Sequence, residues 1–275
     1  SKNCISESAE AELHSEIKNS VEKNTLPKSS EISKSAFLYT WRNKKIIGKI
    51  MLFPAITICV GSEISLFLFR FVTENSVLNF VQIMVLSIFL YLFALWIISS
   101  AMVQIHKAII YDLPYEKTTW IAKPEKSHFF YALIFSLLYP LSKILEIFLK
   151  IIDQQTTNNA SIFFTLLIGI ITIVFFVIFM TRVYFVLPAI SVGQKRPFNF
   201  SFLISKNRVM LTLGSFLGFY IPCSICIFII SVSGILLSSF MVGLIIFQYL
   251  LNLLVINIFY SIIFTHFTKK IGVSK

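Results

Sequence analysis

Apolar residues run along this chain in six long blocks, each set off from the next by a short polar stretch. The blocks cover about Ile46–Val72, Leu78–Ile105, Phe129–Ile152, Ile162–Ala189, Val209–Val232 and Phe240–Phe267. At about 1.5 Å of rise per residue, each is long enough to cross a hydrocarbon layer of about 30 Å. In lipid, a lone segment satisfies all its backbone N–H and C=O groups only as a helix. The pattern predicts an all-α polytopic membrane bundle of six transmembrane helices over residues 36–275, behind a flexible polar tail at residues 1–35.

The polar stretches alternate in kind. Arg42, Lys44, Lys45 and Lys49 precede the first block, and Lys107, Lys117, Lys123 and Lys126 follow the second. Lys195, Arg196, Lys206 and Arg208 follow the fourth, and Lys269, Lys270 and Lys275 follow the sixth. The intervening turns Thr73–Val77, Asp153–Ser161 and Ser233–Ser239 carry no cation. Loops rich in Lys and Arg stay on the cytoplasmic side, so the alternation predicts both termini in the cytoplasm. Phe37-Leu38-Tyr39-Thr40-Trp41 beside the first cations reads as a segment at headgroup depth. In the tail, Ala9, Leu13, Ile17 and Val21 recur at helical spacing and leave a short amphipathic helix open as the other reading.

Composition agrees with the pattern. The 275 residues are 56% hydrophobic and 13% charged, with 29 Phe, and the mean hydropathy is +0.82. The net charge of +11 is spread over the connectors rather than gathered in one patch, which argues against a nucleic-acid partner and for anionic lipid headgroups of the inner leaflet. Four cysteines in a chain of this size make no disulfide framework. Cys223 and Cys226 have CxxC spacing but sit inside an apolar block, where two small side chains on a membrane helix is the simpler reading.

Charged groups inside a span cost about 2.5–3.5 kcal/mol each on insertion scales, so each needs a partner or a role. Glu63 lies about 22 Å into the first span and Lys143 about 21 Å into the third, counted from the same side at 1.5 Å per residue. Equal depth and opposite charge predict a Glu63–Lys143 pair. Glu146, Lys150 and Asp153 share the helical face of Lys143, as a stabilising ladder or as the polar lining of a cavity. Arg182 ends the fourth span, and with Lys195, Arg196, Lys206 and Arg208 it forms a candidate set of contacts for anionic lipid headgroups. Phe198, Phe200, Phe202, Leu203 and Ile204 beside them suit a segment lying in the interface.

His106, His128 and His266 fall at predicted cytoplasmic ends, with Asp112 near in sequence. Their spacing matches no metal-ligand pattern, and they read as solvated interfacial imidazoles, with no metal or cofactor implied. Gly214 and Gly218 permit a close helix approach within the bundle, and Gln248 and Asn252 share a face suited to hydrogen bonding with a neighbouring helix. No nucleophile, paired-carboxylate or phosphate-loop motif occurs in a usable context, so the chain reads as non-catalytic. A weak internal echo relates Phe37–Ile58 to Phe202–Ile225, each an aromatic-led polar lead-in before a proline-bearing run.

The run Arg182-Val-Tyr-Phe-Val-Leu-Pro188-Ala-Ile, followed by Phe202–Arg208 and a hydrophobic span, resembles a stretch in uncharacterised bacterial YciC-like inner-membrane proteins. It is also similar to the membrane domain fused to some glycerophosphodiester phosphodiesterases, and His106-Lys107 resembles the matching place in related members. Where that group carries a glycine after span two, this chain has Tyr111-Asp112. The resemblance implies a six-span bacterial inner-membrane protein of unknown biochemical role and transfers no catalytic residue. Three readings remain: a scaffold or partner for other envelope components, a transporter or permease component lined by spans one and three, and an intramembrane enzyme acting on lipid, which has no residue constellation behind it.

Overall fold

The computed structural model describes residues 28–74, 80–119, 125–137, 159–237 and 241–269, and these are helical apart from short turns. The helices are α1 (Ser29–Arg42), α2 (Lys44–Glu74), α3 (Phe80–Ile110), α4 (residues 126–137), α5 (Asn159–Tyr184), α6 (Val186–Ser191), α7 (Pro197–Ser205), α8 (Val209–Leu237) and α9 (Met241–Lys269). Five of them, α2, α3, α5, α8 and α9, are long and apolar enough to cross a membrane. The third predicted block begins as helix in α4, and its remainder lies outside the described residues.

Helices α2, α3, α5, α8 and α9 match the predicted blocks to within a few residues, because an uninterrupted apolar run has no other way to satisfy its backbone in lipid. Two boundaries differ for physical reasons. The fourth block breaks at Phe185, whose N–H bonds Arg182 O at 3.2 Å. Pro188 has no N–H to return to the Tyr184 carbonyl, so the helix is interrupted one turn earlier. Helix α3 continues five residues past the predicted end at Ile105 and closes with Leu113 N–H donating to Ala108 O. Asp112 takes φ 49 there, the left-handed position that ends many helices and that glycine fills most easily.

The helix ends gather as the alternation of cations demands. Tyr39 donates to Ala108 O at the end of α3, Ser33 donates to Ser215 O near the start of α8, and Ser35 meets His266 near the end of α9. Burial, with Asp112 nearby, pushes the Tyr39 hydroxyl up to about 12, so it remains a donor. Lys44 lies over the Trp41 ring at 4.1 Å and Lys49 over Tyr115 at 4.2 Å, an aromatic and cationic belt of the kind that forms at headgroup depth.

Packing is concentrated at this same end. The core joins Ile50 and Met51, the stretch Ala101–Ile109, Val183–Ile190 and the last turns of α9. Phe185, Phe216, Phe219, Phe259 and Tyr260 meet there in edge and stacked pairs. Farther from it, large apolar side chains such as Phe89, Phe175 and Phe228 are exposed on the helix flanks, a distribution suited to hydrocarbon. Helix α9 touches α1, α2, α3, α6, α7 and α8, making it the hub.

The first seven residues of α1 fall in the segment read as tail. Ile32, Ser33 and Ala36 are buried, and on α8 the bare Cα atoms of Gly214 and Gly218 admit Ser29 and Ser33. The small-residue pair in span five therefore serves contact within the chain, and its partner is an amphipathic helix rather than another span. Glu31 sits in the first turn of α1 and accepts the Lys28 N–H at 3.2 Å, a carboxylate at the positive end of the helix dipole.

Candidate functional site

The polar groups inside the bundle form three sets. The most buried lies between α3, α4 and α9. His106 and Tyr131 are fully buried and Asn257 nearly so. Asn257 Nδ2 returns to Leu253 O at 2.8 Å, which turns its Oδ1 toward the Tyr131 hydroxyl, the donor at 2.5 Å. Ser261 donates to Asn257 O at 2.7 Å. The Ser261 oxygen then meets His106 Nδ1, at 2.5 Å, as an acceptor, so the imidazole proton sits on Nδ1. His106 Nε2 faces Tyr131 Oη at 3.2 Å and takes only the weaker share of a hydroxyl already committed to Asn257.

This corrects the reading of the histidines as solvated. The apolar block ends at Ile105 in the sequence reading, which places His106 in a connector; the five further residues of α3 carry it inside. His128 is also buried, against the Trp96 ring at 6.1 Å. Its Nδ1 accepts the Glu125 N–H at 2.9 Å, and Glu125 pairs with Lys107 of α3. Together these three residues clasp α3 to the start of α4. Among the described residues, no three His, Cys, Asp or Glu converge as metal ligands.

The clasp makes a pH prediction. Burial pulls the His128 pKa below 6.5, with Lys107 acting the same way and Glu125 opposing. The folded ring stays neutral while the unfolded chain takes up a proton, so its contribution is intact above about pH 6.5 and is lost as pH falls below that. The Lys107 hydrogen bond holds the Glu125 carboxyl below 4.5, so its contribution is lost only at still lower pH. Between pH 7 and 5 the melting temperature of His128→Gln should fall less steeply than that of the parent. Parallel slopes would refute this role for His128.

The second set surrounds Glu63. Its Oε1 accepts the backbone N–H of Gly243 at 2.6 Å, in the first turn of α9, where helix N–H groups lack partners of their own. A carboxylate there also meets the positive end of the α9 dipole. A Cβ on Gly243 would come within 3.2 Å of Glu63 Oε1, and the Cys59 carbonyl is close by, so glycine permits the approach. Below the carboxylate, a groove of about 540 Å³ runs between α2 and α9, lined by apolar residues such as Leu52, Ile56, Leu244 and Phe247. The expected partner Lys143, with Glu146 and Lys150, lies outside the described residues. Elsewhere on α9, Asn252 Oδ1 accepts from Tyr220 and Ser224 of α8, each at 3.2 Å, the cross-helix bonding expected of that face.

The chain matches no family model, no curated protein and no solved structure.

The third set holds the arginines. Of the five cations assigned to headgroup contact, Lys195, Arg196 and Lys206 are exposed, whereas Arg208 is 4% exposed. Its guanidinium lies over the Phe267 ring at 4.6 Å, and its Nε and Nη1 are buried without a hydrogen-bond partner among the described residues. Burial lowers its pKa from the ordinary guanidinium value, yet arginine does not give up its proton in proteins. Arg182 lies 5.9 Å from the Phe202 ring, with its Nε also buried and unpartnered. Its backbone carbonyl accepts the Ser201 hydroxyl of α7. Along α7 the small Ser201 and Ser205 face inward while Phe198 and Phe202 are exposed, the arrangement for an interfacial helix with its aromatic side in lipid. A buried charged N–H without an acceptor costs about 1–3 kcal/mol or more, so two such groups at one end of the bundle stand out.

Proposed function

We propose that this chain is a non-catalytic bacterial inner-membrane protein of the YciC-like kind, with six spans and both termini cytoplasmic, acting as a scaffold or partner for other envelope components. One observation carries the reading: four polar groups of the described helices, Glu63, His106, Tyr131 and Asn252, are bonded across helix contacts. Glu63 holds the start of α9, His106 and Tyr131 hold Asn257 and Ser261, and Asn252 holds α8. A transporter lined by spans one and three would instead keep such groups turned toward an aqueous path. The groove beneath Glu63 is apolar, which suits an acyl chain or a partner helix better than a hydrophilic solute. The gathering of the cation-rich connectors at one end supports the orientation through the positive-inside rule.

Glu63 tests the choice. A glutamine retains a carbonyl oxygen that can accept from Gly243, whereas alanine leaves that N–H unpaired in lipid. Glu63→Ala should therefore cost about 1–3 kcal/mol in unfolding free energy, and Glu63→Gln well under half of that. Interaction with envelope partners, measured by crosslinking in cells, should follow stability in both variants. If Glu63→Gln folds as the parent does yet abolishes accumulation of a solute in reconstituted vesicles, the carboxylate charge itself is used and the transporter reading replaces this one.

A further inference from the structure

We infer that Arg208 is the centre of a specific binding site for a phosphate group, filled in the membrane by the headgroup of an anionic phospholipid.

Arg208 differs from the surface cations around it. Lys195 and Lys206 are exposed, where water and mobile counterions solvate them without fixed geometry. Arg208 is enclosed in the protein, cannot discharge itself by losing a proton, and has no carboxylate bonded to it among the described residues. The Phe267 ring lies 4.6 Å from the guanidinium carbon, but a ring face is a weak acceptor beside the oxygens of an anion. The last turn of α9 carries only about half an elementary charge of negative sign, too little to stand in for an anion. Nη2 shares one edge of the planar fork with Nε and the other with Nη1, and two N–H bonds from either edge fit two oxygens of one phosphate.

The surroundings identify the source. Arg208 stands between α7 and α8, and α7 turns Phe198 and Phe202 outward. The Phe267 ring beneath it stacks on Phe185 at 5.9 Å, one turn beyond Arg182, whose own Nε has no partner among the described residues. At the same end of the bundle as the end of α9, α1 leads into Trp41 and Lys44, whose stacked pair marks headgroup depth. A phosphodiester reaching this level brings acyl chains that can lie along the exposed apolar flanks of the spans, whereas free phosphate brings none. The inference rests on the chain being embedded in a membrane and does not depend on whether it serves as scaffold or transporter.

The test uses the purified full chain in detergent, read by its melting temperature and by lipid retained in native mass spectrometry. Dioleoylphosphatidylglycerol, dioleoylphosphatidylcholine and inorganic phosphate are titrated separately. The parent should be stabilised saturably by the glycerol lipid and not by the choline lipid. Arg208→Gln should weaken that response at least tenfold, about 1.4 kcal/mol, Arg208→Lys by less, and Lys206→Gln by under threefold. Stabilisation by millimolar phosphate alone, lost in Arg208→Gln, would uphold the phosphate site and reassign its source to solution. Equal responses in parent and Arg208→Gln would overturn the site, as would losses in Lys206→Gln matching those in Arg208→Gln. If Arg208→Gln does not fold, the parent and Arg208→Lys decide: no preference for the anionic lipid in the parent, or an unchanged response in the lysine variant, overturns the inference. The Glu63 variants retain the site, so failure of the scaffold reading and failure of this one are separable.

Discussion

Replacing His106 by alanine should lower the unfolding free energy of the full chain by about 2–4 kcal/mol. Two effects add. Deleting a fully buried ring leaves a cavity among Met102, Ile105 and Tyr131 (all at or near 0% exposed), and large-to-small core changes typically cost about 2–5 kcal/mol. The hydrogen-bond part is smaller, because Ser261 and Tyr131 donate to Asn257 and keep their acceptors. Tyr131→Phe isolates that part: it strips Asn257 Oδ1 of its donor while keeping the ring, and should cost about 1 kcal/mol, in line with interhelical hydrogen bonds in membranes. Equilibrium unfolding in mixed micelles measures both. If His106→Ala unfolds with the parent, or Tyr131→Phe costs as much as His106→Ala, packing does not outweigh hydrogen bonding at this site.

The second large effect is local. A Cβ on Gly218 would stand 2.9 Å from Ser33 Oγ, and Ser33 cannot swing away without losing its bond to Ser215 O at 2.8 Å. Gly218→Leu should therefore lift α1 off α8 and cost about 1–3 kcal/mol, as overpacking does. The spans themselves should remain assembled, because α9 holds α2, α3 and α8, and α5 packs on α8, through contacts that do not involve α1. A Ser33→Cys probe in a Cys4→Ser background reads this out: Ser33 is 7% exposed, so a water-soluble maleimide should label it slowly in the parent and many times faster alongside Gly218→Leu. Equal labelling rates would mean that α1 does not dock where the structure places it.

These two sites show what the amino-acid order disclosed and what it hid. Long apolar runs announce themselves because lipid leaves the backbone a single solution, and α2, α3, α5, α8 and α9 were legible to within a few residues. The docking of α1 was not, since pattern reading weighs large side chains, and beside the Phe37–Phe219 ring pair this contact is made by Ser29 and Ser33 against two glycines. The His106 network was hidden by an error of five residues at the end of α3, enough to move an imidazole from water into the core. Asn252 could be read from its spacing with Gln248; Asn257 and Ser261 repeat that spacing one stretch farther on and carried the same signal. Glu63 was recognised as needing a partner. Among the described residues its partner is a backbone N–H at a helix start, a kind of donor site that charge pairing between side chains does not suggest. Among the cations, sequence could group Arg208 with its neighbours but could not tell the enclosed one from the exposed.

Because translation runs from the amino end, α9 is the last of the described helices to leave the ribosome, yet it is the one the others lean on. Helices α2, α3, α5 and α8 are each greasy enough to be threaded into the bilayer alone. They must then wait there, with Glu63, His106 and Tyr131 still lacking the atoms they will bind. Assembly is accordingly a second act that follows insertion, and a ribosome stalled before Met241 would strand a set of polar side chains in oil, a plain signal for membrane proteases to read.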